Sequence, residues 1–318
     1  MALPEALAGK LRIPLIGAPM YIVSNPALVI EQCKAGIIGA FPALNARPQE
    51  ALEDWLCQIE DALAEHADAH PDDPVAPYAV NQIVHQSNPR LLADMEACVR
   101  HKVPIVITSL SPPGQVVDAV HSYGGLVFHD VISVRHARKA ISQGVDGVIA
   151  VCAGAGGHAG PLSPFALVKE IREEFDGVVI LSGAMTSGAD VLAAQAMGAD
   201  LAYIGTRFIA TEEANAVQGY KDMIVDSRAD DIVYSSLFSG VLGNYLKGSV
   251  ANAGFDPDNL PEGDKATMDF EKAQSDAKAW RDIWGAGQGV GSIREVMPAR
   301  DLVLRMEQEY DEARRRLA

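Results

Sequence analysis

A single histidine sits inside a run of glycines in the stretch Cys152-Ala-Gly-Ala-Gly-Gly-His-Ala-Gly160. Glycines let a backbone take positive φ or approach another group closely. Imidazole titrates near neutral pH, so His158 in such a setting can accept a proton from a substrate or hydrogen-bond an anion. Two other stretches carry the residue types of an anion cradle. Ser182-Gly183-Ala184 and Gly205-Thr206-Arg207 each place small residues between an apolar run and helical sequence, where backbone N–H groups can receive a phosphate. Ala18-Pro19-Met20 offers a flat wall for a ring, with Met as a soft contact. Asn81 carries an amide that both donates and accepts toward a ring edge. Taken singly, each has a plainer reading: a loop histidine, two tight turns, and an asparagine capping its own turn.

What these residues share is position, each at the end of a short apolar run. Eight such runs recur, at 13–20, 36–44, 77–84, 104–110, 125–132, 147–154, 178–185 and 201–208. They are rich in Val and Ile and too short for independent buried helices, so they predict buried parallel strands. Amphipathic patterns such as NPALVIEQCKA and SPFALVKEIREEF lie between them, several opening on an Asn or Ser cap and closing at Gly. Eight strand-then-helix units predict an α/β fold, a (β/α)8 TIM barrel built from residues 1–211 and 285–318. In such barrels the active site lies at the C-terminal strand ends, and the last two loops commonly bind phosphate. The rhythm breaks at residue 212. Residues 212–284 predict a helical insertion, a lid on the substrate side, interrupted at VANAGFDPDNLPEGDK.

Two further histidine settings call for a choice. His129 and Asp130 end the fifth run, and strand alternation lets only one of them point into the barrel. His66 and His70 stand near Asp68, Asp72 and Asp73 in sequence that reads as a solvated polar loop, so no metal site is expected.

Composition narrows the partners. The chain has 318 residues and a formal charge of −16, which repels phosphate backbones and anionic membranes. Neither nucleic acid nor membrane is expected as a partner; a small molecule is, and a homodimer is left open. The four cysteines are scattered with no CxxC pair, so neither a disulfide framework nor a zinc site is indicated, and a cytoplasmic location is expected. The N-terminus lacks the basic start and apolar core of a signal peptide, and no apolar run is long enough for a membrane helix.

The motifs IPLIGAPM, the AVN of the third run, AGGHAG, SGAM, IGTRF and the late AGQG occur in this order from residue 13 to about 293. The chain thereby resembles the nitronate monooxygenase family, formerly 2-nitropropane dioxygenases, which are FMN-dependent (β/α)8 enzymes related to flavin NADH:quinone reductases and enoyl reductases. The resemblance implies that Ser182, Gly183, Ala184, Gly205 and Thr206 hold the FMN phosphate. It implies that Ala18, Pro19 and Met20 lie along the isoalloxazine, and that Asn81 reaches its polar edge. Gly156 and Gly157 would let the chain pass close to the flavin, Gln288 would face it from the late loop, and His158 would be the catalytic histidine. The implied reaction is oxidation of alkyl nitronates or nitroalkanes with O2. NAD(P)H:quinone reduction on the same scaffold is the alternative, and a flavin-free phosphate-binding lyase or isomerase is the reading from another class. Relatives carry Gln or Asp where Val151 stands, and quinone reductases carry Lys where Asp130 stands, which bears on substrate more than on flavin. Tyr245 and Lys247 fall where a substrate-facing insertion is expected, with a solvated role for Lys247 the plainer reading.

Overall fold

The computed structural model describes residues 3–263 and 282–317. Eight parallel strands close into a barrel: β1 (Leu15–Gly17), β2 (Ile38–Pro42), β3 (Tyr78–Val84), β4 (Ile105–Leu110), β5 (Leu126–Val131), β6 (Gly147–Val151), β8 (Val178–Ser182) and β9 (Leu201–Ile204). The ring closes where β1 pairs with β9, Ile16 opposite Tyr203. These strands fall within the eight apolar runs. Between β6 and β8 the chain forms one more strand, β7 (Gly157–His158), which stands outside the barrel.

Helices α1 (Pro26–Lys34), α2 (Ala51–Ala69), α3 (Leu91–Arg100), α4 (Gly114–His121), α5 (Val134–Ile141), α6 (Pro164–Arg172), α7 (Gly188–Ala196) and α8 (Thr206–Ile209) follow the barrel strands. Their starts obey local chemistry. Asn25 Oδ1 accepts from Leu28 N–H at 2.8 Å ahead of a proline at the first turn of α1, and Ser187 and Asp190 cap α7 reciprocally. Each such cap is worth about 1 kcal/mol. The C-terminal helix, α11 (Ala299–Leu317), packs on α7 and α1 outside the barrel, as its spacing predicts. The barrel is filled by inward residues such as Ile16, Ile38, Ile107, Phe128, Ile149 and Ile180, all fully buried. The alternate residues, among them Val106, Val127, Val148 and Val179, face the helices.

The insertion after β9 is helical only in part. It carries α9 (Gln218–Asp226) and α10 (Lys247–Asn252), but between them run two strands, β10 (Ile232–Ser235) and β11 (Gly243–Leu246). These pair antiparallel with each other, and β11 pairs with β7, giving a three-stranded sheet. The sequence IVYS-SLFSGVL-GNYL carries no helical period, and four-residue strands leave only a faint alternation, so the reading of 212–284 as purely helical missed this sheet. Residues 264–281 of the expected insertion lie outside the described residues. Among the described residues, no helix is long and apolar enough to cross a membrane.

Candidate active site at the barrel mouth

A cavity of about 570 Å³ opens at the C-terminal ends of the strands. Its size suits a cofactor or drug-sized ligand. Ala18, Pro19, Met20, Asn81, Gly156, Gly157, His158, Ser182, Gly183, Ala184, Gly205 and Thr206 all line it. Gln288 does not. Its side chain is exposed and packs toward Gly154, while the flanking Gly287 and Gly289 line the cavity. The expectation for Gln288 is therefore corrected: the late loop meets the cavity through backbone.

The glycines around His158 allow close approach and positive φ, and the group approached is a second glycine-rich loop. A Cβ on Gly156 would stand 2.8 Å from Gly287 N, and one on Gly287 would stand 2.7 Å from Gly154 O. The two glycine-rich loops thus pack backbone on backbone. Gln288 N–H donates to Gly154 O at 2.9 Å, and Gly287 N–H donates to Thr206 Oγ1 at 2.9 Å. Gly157 has φ of 66° and open space where a Cβ would be. Only here does the glycine leave room on the cavity side.

His158 is held by the insertion. Its strand pairs with β11, His158 opposite Gly243, and Asn244 Nδ2 donates to Ala155 O at 2.7 Å just before it. On the other side Tyr234 of β10 donates its hydroxyl to Ala159 O at 2.8 Å. His158 Nε2 lies 2.8 Å from Ser239 Oγ, whose hydroxyl donates to Val241 O at 3.0 Å. Ser239 Oγ also lies 3.4 Å from Tyr245 Oη, so the hydroxyl ties the His158 ring to the small sheet and fixes its orientation. Burial pushes the imidazole down to about 4, so His158 is neutral at pH 7.

Across the mouth, three barrel strands carry a hydrogen-bonded chain. Asn81 Nδ2 on β3 donates to Ser109 Oγ on β4 at 2.9 Å, and Ser109 donates to Asp130 Oδ2 on β5 at 2.6 Å. Leu126 and Phe128 belong to the inward set while Val127 and Val131 face the helices, so alternation turns Asp130 inward. His129 turns toward the helix layer, with Nδ1 2.8 Å from Thr108 Oγ1, and borders the cavity from that side. Burial lowers it to about 4. The same burial raises Asp130 to about 6, against the opposing hydrogen bond from Ser109.

The wall where a phosphate was expected follows β8 and β9. Gly183 and Ala184 have φ of 142° and 55°. A non-glycine residue in the left-handed region is uncommon and costly, and such residues cluster at functional sites. Several lining residues gave no sequence signal. Ser109, Tyr203, Arg47 and Trp284 all reach the cavity, and Trp284 stacks on Tyr220 with centroids 4.9 Å apart. A lone Ser, Tyr, Arg or Trp has no spacing to announce it. Val151 lines the cavity as an apolar residue. Tyr245 is fully buried beneath the small sheet, and Lys247 points to the surface, paired with Asp258 at 2.9 Å. His66 lies on α2 and His70 caps it, which corrects the loop reading. Among the described residues no group of His, Cys, Asp or Glu is placed to hold a metal.

The nitronate monooxygenase family model matches residues 5–309. The chain belongs to the nitronate monooxygenase family. It is a flavin-dependent oxidoreductase by that membership. Similar proteins include a nitronate monooxygenase of Paraburkholderia phytofirmans, 28% identical over 94% of this chain and 93% of that protein. Among solved structures, FabK from Thermotoga maritima matches with a TM-score of 0.79 at 24% identity, over 96% and 95% of the two chains. A nitroalkane oxidase from Streptomyces ansochromogenes matches with a TM-score of 0.77 at 24% identity, over 99% and 100%. At that identity the two structures speak for the barrel fold.

Proposed function

We propose that this chain binds FMN at the barrel mouth and oxidises alkyl nitronates with O2, with His158 as the catalytic residue. The observation that carries the reading is a neutral, half-buried histidine lining a cavity whose wall also carries the small residues of the strand ends. The residues fit a flavin. Ala18, Pro19 and Met20 supply the flat face, and a Cβ at Gly205 would already stand 3.4 Å from Met20 Sδ. Ser182, Gly183, Ala184, Gly205 and Thr206 supply the small, backbone-rich end for the phosphate. Both protons of the Asn81 amide are engaged, on Ile107 O at 3.3 Å and on Ser109, so Asn81 meets the ring edge through Oδ1 or through Asp130.

When bound, the flavin accepts electrons from the substrate and passes them to O2. The protein binds, orients and handles the proton. Neutral His158 offers a ring-nitrogen lone pair to the acidic Cα–H of a nitroalkane, and Ser239 orients the ring. An anionic nitronate beside the ring favours the protonated imidazole, so the charge formed is paired within the cavity. The insertion, described for residues 212–263 and 282–284, is the substrate-side wall through Val241, Ile283 and Trp284. The four free cysteines, three of them buried, agree with a reducing cytoplasm.

The test is anaerobic. Ethylnitronate alone is expected to bleach the yellow oxidised protein, and O2 to restore the colour. Bleaching by NADH or NADPH but not by nitronate, with a quinone restoring the colour, would reassign the chain to quinone reduction.

A further inference from the structure

Asp130 Oδ1 is shielded from solvent and has no hydrogen-bond partner among the described residues, although its carboxyl lines the cavity. An unpaired buried polar atom is costly, because it has given up water and gained no partner. The chain that reaches this carboxyl has a fixed direction. Asn81 spends both amide protons, so Ser109 Oγ accepts from it and must donate onward to Asp130 Oδ2. Oδ2 is therefore an acceptor. A proton on this carboxyl goes to Oδ1.

We propose that a ring bound at the barrel mouth takes up one proton onto Asp130, whose Oδ1–H then donates to a carbonyl or ring-nitrogen acceptor on the ring's polar edge. The inference rests on the flavin reading for the identity of that ring. Only the Ser109 hydroxyl favours the anion. From β4 it meets the neutral Ser109. From β9 it meets Tyr203, whose hydroxyl its charge pushes up further. β6 presents apolar Val151, and β7 presents the neutral His158. On its own strand His129 turns outward and is neutral. His136 and Lys139 of α5 border the cavity, and neither contributes to the position of Asp130, which burial sets near 6 with only Ser109 opposing. A ring over the mouth removes what solvent remains and favours the uncharged acid further. The flavin edge offers acceptors, and a carboxylate cannot donate to them.

Riboflavin is the probe, because it lacks the phosphate that titrates near neutrality. Calorimetric titrations into apoprotein at pH 7, in buffers of different ionisation enthalpy, are expected to show uptake of close to one proton per riboflavin bound. Affinity should hold below pH 6 and fall about tenfold per pH unit above it. Asp130→Asn places a permanent donor at the Oδ1 position. This variant should bind riboflavin with no proton uptake and no slope between pH 6 and 8. No uptake by the wild-type protein overturns the proposal, as does the same slope in Asp130→Asn; the wild-type measurement stands even if the variant does not fold. If riboflavin binds too weakly, FMN replaces it and the difference between wild type and variant cancels the phosphate. Failure of both to bind overturns the flavin reading itself, and the proposal with it.

Discussion

The barrel mouth carries two polar assemblies built in different ways. One is the Asn81–Ser109–Asp130 chain, which crosses three adjacent barrel strands, with Ser109 two residues beyond the strand partner of Asn81. The other is His158, on a small sheet, with Ser239 from the loop between the two insertion strands, 81 residues away in sequence. Burial acts on both and in opposite directions. It holds the histidine neutral by lowering it to about 4 and favours the uncharged acid by raising the carboxyl to about 6. The barrel side is anchored by a closed ladder. The histidine side depends on a two-residue strand and a hairpin from the insertion. Chemistry at the mouth should therefore fail from the insertion side while the barrel stays folded.

Gly243→Val should have the largest effect. A Cβ there would stand 2.9 Å from Gly157 O and 3.0 Å from Tyr245 Oη, so β11 must move off β7. Turnover should fall about 10²-fold, the usual result of misplacing a reacting group by about 1 Å. Bound flavin and the thermal midpoint of the barrel, read by absorbance and circular dichroism, should change little. Ser239→Ala is milder. It removes the hydroxyl that orients the His158 ring, and kcat should drop about tenfold, the equivalent of one hydrogen bond of roughly 1.4 kcal/mol. Equal loss of flavin affinity would mean that Ser239 merely supports the fold.

Acid sharpens the comparison from the barrel side. His129 is buried with a folded value of about 4, below the ordinary 6.5 of the unfolded chain. Its neutral form is favoured by folding, so stability is lost as pH falls from about 6.5 toward 4. The loss should reach about 2 kcal/mol by pH 5. Urea unfolding at pH 7 and pH 5 measures it, and His129→Asn should flatten that share of the dependence. Lys247→Ala should do least. Its side chain is on the surface with Asp258, outside the cavity, and kcat and KM should change by less than about twofold.

What was legible in the sequence follows the same division. The barrel strands could be read because each is a Val- and Ile-rich run with its own following helix, and the pairing order repeats the chain order apart from β7. The residues at those strand ends were brought together because a barrel gathers all its C-terminal ends. Alternation narrowed His129 and Asp130 to one inward residue, but the phase of a six-residue strand needs its neighbours, and only the inward set with Phe128 settles it for Asp130. The small sheet was not legible. Its pairing is tertiary, and IVYS and GNYL are too short to show a period. Ser239 was invisible for the same reason. Gln288 was misplaced because AGQG draws attention to its one side chain, whereas the loop works through Gly287 and its backbone.

In the proposed function His158, neutral and aimed by the insertion, takes the substrate proton over a bound flavin. The most direct test is anaerobic stopped-flow reduction of wild type and His158→Ala by nitroethane and, separately, by preformed ethylnitronate. The variant should keep its flavin and reduce with nitroethane at least about 10²-fold more slowly, as for a lost general base. With the anion, which needs no deprotonation, the loss should be much smaller. Equal rates for the two proteins with nitroethane would contradict the account.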